Sequence, residues 1–489
     1  GRITKNITIM KEMTELEPKA LWKQFAKVCS IPHPSKHEEK LRQYVIDFAE
    51  THGLEYRQDT IGNVVVRKAA AKGYEGHPTV ILQAHMDMVP QKNSDLQFDF
   101  EKDAIRPYVD GDWVTAEGTT LGADDGMGVS AMLAILEADD IPHPALECLF
   151  TVDEETGLTG ANQLAADMLK GDILINLDSE DEGELYVGCA GAVNVTAHFE
   201  YKEEAVPGGY VGYEIALSGL KGGHSGLEII LQRGNANKLL TRFLREQPYA
   251  RIATIDAGGL RNAIPREAKA VVAVPADRAA EFEKAAGEFE ATIRHELAHV
   301  EDSIRFGVAR QAQVPAAVAT EDFRKRFVDA LTAMPDGIIR MSDTVPGLVE
   351  TSTNMSRVGM GDGKAELLFM VRCMVNYGKK RVVAMIDAVV TLAGGRIEAQ
   401  GDYDGWAPNP DSKILHVMKA GYERLFGKVP EVKAIHAGLE CGIIGAKYPK
   451  LDMISIGPTM RFPHSPDEKV EIASVAKFYA FLLDTLKNL

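Results

Sequence analysis

Apolar residues along this chain follow two periodicities, and the switch between them divides it. Leu21, Phe25 and Val28 share one helical face, as do Leu41, Tyr44, Val45 and Phe48, with Gly53 placed to stop the second helix. From Leu54 to about Gly191, short apolar runs alternate with helical stretches. Val80-Ile81-Leu82, Cys148-Leu149-Phe150-Thr151-Val152 and Ile173-Leu174-Ile175-Asn176-Leu177 predict buried strands. Asp124-Asp125-Gly126 opens a helix whose apolar stripe is Val129, Met132, Leu133 and Leu136. This βα alternation predicts a layered α/β domain with a largely parallel sheet. From about Ala192 the texture changes. Alternating segments at 212–217 and 268–274 predict strands, and an amphipathic stretch at 278–304 predicts a long helix. Near Tyr403-Asp404-Gly405-Trp406 the first texture resumes. Strands are predicted at 432–436 and 453–456, and a closing helix at 470–486. Residues 1–191 and 402–489 therefore read as one α/β catalytic domain, and 192–401 as an α+β lid domain inserted into it.

Composition narrows the class of protein. A chain of 489 residues suggests two or three domains, and 45% hydrophobic with 26% charged residues is ordinary globular usage. A formal net charge of −17 speaks against nucleic acid as a partner. No apolar run is long enough to span a bilayer. The opening Gly1-Arg2-Ile3-Thr4-Lys5-Asn6 lacks the apolar stretch of a secretory signal. Cys29, Cys148, Cys189, Cys373 and Cys441 are few, far apart and form no C-x-x-C pair, so reduced thiols in a cytoplasmic protein are expected.

Four short segments carry candidate chemistry, each close behind an apolar run or opening a helix: His85-Met86-Asp87, Asp124-Asp125-Gly126, Asp153-Glu154-Glu155 and Asp178. In an open parallel sheet, ligands gather at the carboxyl ends of strands. Carboxylates and an imidazole brought together there repel unless cations hold them. A pair of divalent metals does so, and zinc suits mixed His and carboxylate ligands. Each segment also has a plain alternative. His85 could be a strand-end histidine with a solvated Asp87 nearby, and Asp124 a helix cap. Glu154-Glu155 could be an exposed acidic loop, and Asp178 part of a solvated acidic run. Their joint occurrence behind successive strands favours the metal reading.

Taken together, the motifs resemble one family. His85-Met-Asp87, Gly122-Ala-Asp-Asp-Gly126, Asp153-Glu-Glu-Thr-Gly157 and Asn176-Leu-Asp178 resemble the aminoacyl-histidine dipeptidases, grouped with carnosinase, peptidase T and carboxypeptidase G as co-catalytic zinc exopeptidases. Gly222-Gly-His-Ser-Gly226, Gly258-Gly-Leu-Arg-Asn262, His436-Ala-Gly-Leu-Glu440 and Gly457-Pro-Thr-Met-Arg-Phe-Pro-His-Ser-Pro466 extend the resemblance over nearly the whole chain. It implies that His85 and Asp178 hold one metal, Glu155 and His464 another, and that Asp124 bridges them. Glu154 would be the general base, and Asp87 would orient His85. The Asp124–Asp125 peptide would be cis. His224 would stabilise the oxyanion, in many members across a dimer interface, so a homodimer is expected. Asn262 and Arg372 would anchor the substrate carboxylate. Glu440 is read either as the partner of the substrate ammonium or as the first residue of a helix.

The implied reaction is hydrolysis of dipeptides with a free amino terminus, Xaa-His among them, using two divalent ions per chain, with zinc expected and cobalt or manganese as alternatives. A deacylase of N-acyl amino acids and a non-catalytic metal-binding protein are the competing functions. His295-Glu296-Leu297-Ala298-His299 matches the H-E-x-x-H zinc motif. Its surroundings, Glu281, Glu283, Glu288, Glu290, Arg294 and Glu301, read instead as a solvated helix face.

Overall fold

The computed structural model describes residues 12–489, and the opening segment read above for its want of a signal stretch lies outside the described residues. The described chain splits into two compact units. One comprises residues up to Gly188 with Pro408–Ala434 and Leu439–Leu489; the other comprises Cys189–Ala407 with Ile435–Gly438. No helix among the described residues is long and apolar enough to cross a membrane.

The first unit is built on an eight-stranded sheet in the order Glu55–Gln58, Val64–Lys68, Leu146–Thr151, Val80–His85, Ile173–Asn176, Asp452–Ser455, Glu184–Cys189, Glu431–Ile435. The four middle strands run parallel, with His85 beside Thr151, Gln83 beside Asn176 and Asn176 beside Ser455. Antiparallel strands flank them. Every residue of Val80–His85 and Leu146–Thr151 is buried, as covering both faces of a parallel sheet requires. Helices Lys19–Ser30, Glu39–Thr51, Ala123–Glu137, Lys413–Phe426 and Ile472–Lys487 supply that cover, with Leu21, Phe25, Leu41, Met132, Met418 and Phe478 in one core. The helix Ala123–Glu137 lies hard against the sheet. A Cβ at Gly128 would come within 2.8 Å of the Leu177 carbonyl oxygen and 2.9 Å of Ala84 Cβ. The peptide Asp124–Asp125 at its start is cis, as the resemblance implies.

A small four-stranded sheet in the same unit, ordered Met460–Arg461, Lys469–Glu471, Trp113–Ala116, Pro107–Asp110, brings a late segment beside an early one. The loop between its first two strands carries His464.

The second unit is α+β. Its strands pair antiparallel in the order Arg305–Arg310, Tyr210–Ser218, Ala268–Pro275, Arg251–Gly258, Val349–Gly361, Lys364–Cys373, Gly191–Glu200, Arg396–Tyr403, with Gly337–Met341 added beside Val349–Gly361. Helices Ala236–Glu246, Ala279–Glu296, Glu321–Ala333 and Asn376–Leu392 contribute Phe243, Phe282, Phe327 and Ile386 to its core.

The long helix expected at 278–304 ends at Glu296. Glu301, expected on a solvated face, is 4% exposed. It accepts from the backbone N–H groups of Lys221 at 2.8 Å and Gly234 at 3.0 Å, which turns the chain inward instead of along the helix. His299 therefore lies beyond the helix, and both His295 and His299 are exposed. The two histidines do not share a helical face, and the H-E-x-x-H match has no structural basis.

Candidate active site

The loops behind the middle strands meet around His85, which is 1% exposed. Its Nε2 stands 3.0 Å from Asp124 Oδ1, 3.5 Å from Asp178 Oδ1, 3.6 Å from Glu154 Oε2 and 3.7 Å from Glu155 Oε1. Its Nδ1 faces Asp87, at 3.0 Å from Oδ1 and 2.9 Å from the backbone carbonyl. Donation through Nδ1 leaves Nε2 facing the carboxylates, the arrangement that a histidine ligand needs. His464 Nε2 lies 3.0 Å from Glu155 Oε2 and 3.2 Å from Asp124 Oδ2. Six of the residues singled out from sequence, His85, Asp124, Glu154, Glu155, Asp178 and His464, thus converge, with Asp87 behind them.

Asp87 does more than face the imidazole. It accepts from Ser35 Oγ at 2.7 Å and from the backbone N–H of Glu154 at 3.0 Å and Glu155 at 3.1 Å. One carboxylate so fixes both the histidine and the glutamate pair. Burial pushes its carboxyl up, but the neighbouring His85 charge and these donors outweigh burial and hold it at about 2. The turn into the glutamates is tight. Asp153 has φ 47°, and its carboxylate accepts from Thr159 Oγ1 at 2.7 Å and from Thr156 Oγ1.

The cluster's charge is unbalanced. Burial, reinforced by Asp178, Glu155 and Glu440, holds the Glu154 carboxyl well above its ordinary range despite His85. Burial and Asp124 do the same to Asp178. Burial works against a charged His85, but Asp178, Asp87 and Glu154 together outweigh it and hold the imidazole well above its ordinary range. Glu155 Oε1 is buried and has no hydrogen-bond partner. Four carboxylates and two imidazoles with an orphaned carboxylate oxygen are a donor set that fits divalent cations. His85 with Asp124 and Glu155, and His85 with Glu154 and Asp178, each bring one potential ligand atom per residue within 4.8 Å of the others.

Glu440 opens the helix Glu440–Lys447, and the residue is 2% exposed. Oε1 accepts from Gln83 Nε2 at 2.9 Å, while Oε2 is buried without a partner. Glu440 is thus the first residue of a helix, and its carboxylate is buried rather than solvated. Gln83 in turn ties Asn176, which accepts from the Asp178 N–H at 3.1 Å.

The remaining candidates lie in the second unit. His224 Nδ1 accepts from the backbone N–H of Gly226 and Leu227, both at 3.0 Å. Two donors on Nδ1 place the proton of the neutral ring on Nε2, and burial and Arg372 both lower its basicity. Arg372 is 3% exposed. Its Nη2 donates to Ser225 Oγ at 3.3 Å, its Nε has no partner, and no carboxylate among the described residues lies in ion-pair range. Asn262 is exposed, and its backbone carbonyl accepts from Ser225 N–H at 2.8 Å.

Sequence reading alone misses Glu468, Ser35, Gln83 and His436. His436, 5% exposed, meets Ser352 Oγ through Nε2 at 2.7 Å while its Nδ1 is buried without a partner. None of the four follows a strand in a recognisable motif, apart from the position of His436 at the head of His436-Ala-Gly-Leu-Glu440.

A parallel-sheet domain that gathers two histidines and four carboxylates behind its strands, interrupted by an α+β insertion, has the layout of a protein that binds divalent metal ions at the carboxyl ends of its strands. The model of Peptidase family M20/M25/M40 matches residues 81–488, and the chain belongs to that family. The cytosol non-specific dipeptidase of Escherichia coli (strain K12) is 46% identical over 483 residues, 98% of this chain and 99% of that protein. The crystal structure of the aminoacylhistidine dipeptidase from Vibrio alginolyticus superposes with a TM-score of 0.93 at 45% identity, covering 98% of each chain. Aminopeptidase PepT from Bacillus cereus ATCC 10987 shares the fold at a TM-score of 0.60 and 17% identity, covering 96% of this chain and 98% of that one. The resemblance read from the motifs is upheld.

Proposed function

We propose that this chain hydrolyses dipeptides with a free amino terminus, Xaa-His among them, in a metal-dependent reaction. The observation that carries the reading is the convergence of Asp124, Glu154, Glu155, Asp178 and the half-exposed His464 around buried His85, with an orphaned oxygen on Glu155, in a chain 46% identical to a dipeptidase. His85 and Asp178 would hold one divalent ion, Glu155 and His464 a second, with Asp124 between them. Zinc is the expected metal, with cobalt and manganese as alternatives. Such ions supply a Lewis acid and make a water acidic near neutral pH.

The protein's own residues do the rest. Glu154, ionised in the working site, takes a proton from the attacking water on its carboxylate and later gives it to the leaving amine. Asp87 keeps the His85 proton on Nδ1. His224 would offer Nε2–H to the developing oxyanion. Arg372, a buried guanidinium without a carboxylate partner, and Asn262 would answer the substrate carboxylate. Glu440, with one oxygen unpartnered, would answer the ammonium. The inserted region 192–401 is proposed as the lid and dimerisation domain, the assembly as a homodimer, and the setting as the cytoplasm. Sedimentation giving a fully active monomer would refute the dimer.

The test is a panel of free dipeptides and their N-acetylated forms, assayed on metal-reconstituted protein with and without chelator. Turnover of free dipeptides that chelator abolishes and metal restores is expected. Preference for N-acetylated substrates would move the assignment to a deacylase, and no metal-dependent turnover of either would end it.

A further inference from the structure

We propose that Glu468 is a positioning residue that clamps the turn bearing Asp124 to the loop bearing His464. The inference rests on the metal-ligand reading above and concerns a side chain outside the ligand set. Glu468 is 2% exposed. Its Oε1 accepts from the backbone N–H of Leu121 and Gly122, both at 2.9 Å, and its Oε2 accepts from the backbone N–H of Asp124 at 3.1 Å. No Lys, Arg or His among the described residues lies in ion-pair range of it. Three N–H groups thus offset part of the cost of burying this carboxylate, and charge-assisted bonds of this kind are the stronger sort.

The same residue is anchored through its backbone. Its carbonyl accepts from Thr115 Oγ1 at 2.8 Å, and its N–H donates to the Ser465 carbonyl at 3.1 Å. Four residues earlier, His464 Nε2 reaches Asp124 Oδ2 at 3.2 Å. The result is a closed circuit: the main chain of Asp124 is bound by Glu468, and its side chain by His464, from one short loop. Gly122, at φ 77°, gives the turn the left-handed backbone that points successive N–H groups at a single carboxylate. Two ligands from opposite ends of the sequence are thereby set at one separation before any ion arrives.

The geometry also says why a carboxylate is required. Three N–H donors need two accepting oxygens. Glutamine has the same shape but one acceptor, so its amide N–H₂ must face at least one backbone donor. Glu468→Gln should therefore loosen the turn while leaving the surrounding packing in place. Glu468→Asp keeps the charge and shortens the reach.

The experiment titrates Zn²⁺ into the metal-free forms of the wild type, Glu468→Gln, Glu468→Asp and His464→Ala, and melts each metal-free form. Glu468→Gln should melt close to the wild type yet bind Zn²⁺ about 10–100-fold more weakly, the usual cost of losing a group that orients a ligand. Its KM for dipeptide at saturating metal should be unchanged. Wild-type Zn²⁺ affinity in Glu468→Gln, beside weakened affinity in His464→Ala, overturns the inference and leaves the metal site standing. Wild-type affinity in His464→Ala as well overturns the metal site and this inference with it. Should Glu468→Gln not fold, Glu468→Asp decides in the same way: weaker Zn²⁺ binding supports the clamp, and unchanged binding overturns it.

Discussion

At the scale of single residues, the proposed division between cation-holding and proton-moving groups falls between two adjacent glutamates. Glu154 and Glu155 are neighbours in sequence, and both main-chain N–H groups are pinned by Asp87. Their side chains nevertheless differ: Glu155 lies 3.0 Å from His464, whereas Glu154 lies beside His85 and Asp178 without touching His464. Glu154→Ala should keep its metal and lose about 10²–10⁴-fold in kcat, the range for a general acid–base group. Metal analysis alongside steady-state kinetics checks this, and near-normal kcat with full metal sinks the assignment. Glu440→Gln should raise KM for free dipeptides about tenfold more than for N-acetylated ones, because a charge-assisted bond is worth roughly 1.5–3 kcal/mol. Equal effects on both substrate types would remove Glu440 from the reading of the amino terminus. Much of this constellation is legible in the sequence because each residue sits directly behind an apolar run or inside a motif. Glu468 is not, because a carboxylate that accepts from the backbone of a turn more than three hundred positions away leaves no periodic mark. Glu301 escapes the sequence for the same reason.

Elements are legible where burial is complete. The strands at Val80–His85, Leu146–Thr151 and Ile173–Asn176 stand where apolar runs put them, since a parallel strand covered on both faces is mostly apolar, and the few polar residues within them, such as Gln83 and Asn176, are buried and hydrogen-bonded. The end of the helix Ala279–Glu296 is not legible, because tertiary contacts of Glu301 set it rather than a glycine or proline. The strands Met460–Arg461 and Lys469–Glu471 are too short to show a period, yet they deliver His464. The helix Ala123–Glu137 supplies a prediction of opposite sign to propensity. Replacing Gly by Ala within a helix ordinarily gains about 1 kcal/mol. At Gly128 the added Cβ meets the Leu177 carbonyl at 2.8 Å and Asp125 Oδ1 at 2.7 Å, and a backbone atom cannot step aside. Gly128→Ala should therefore destabilise, by about 1–3 kcal/mol as overpacking generally does. Denaturant unfolding that finds the variant more stable than the wild type would show that the helix can shift away from the sheet.

For the whole molecule, acidification brings two opposed effects. With a net charge of −17, the chain repels itself, and protonating carboxylates relieves that repulsion as pH falls. Ordinary carboxylates titrate near about pH 4, so this relief comes late. His436 acts earlier. Burial, aided by the nearby Arg372 guanidinium and His224, lowers it to about 3. An unfolded chain holds its histidines near about 6.5. The folded state therefore binds fewer protons than the unfolded one below that pH. The contribution of a neutral His436 is fully present above about pH 6.5 and is lost progressively as pH falls towards the folded value. The slope is about 1.4 kcal/mol per pH unit, so about 2 kcal/mol disappears between about pH 6.5 and pH 5. In this window the histidine effect should outweigh the relief of repulsion. Because other groups titrate too, the measurement is a comparison. His436→Gln cannot take up the proton, so the wild type should lose about 2 kcal/mol more than the variant between about pH 7 and pH 5 in urea unfolding. Parallel losses in the two proteins would mean that His436 is free to protonate in the folded state, and that the buried, Ser352-bound ring is not held neutral by its surroundings.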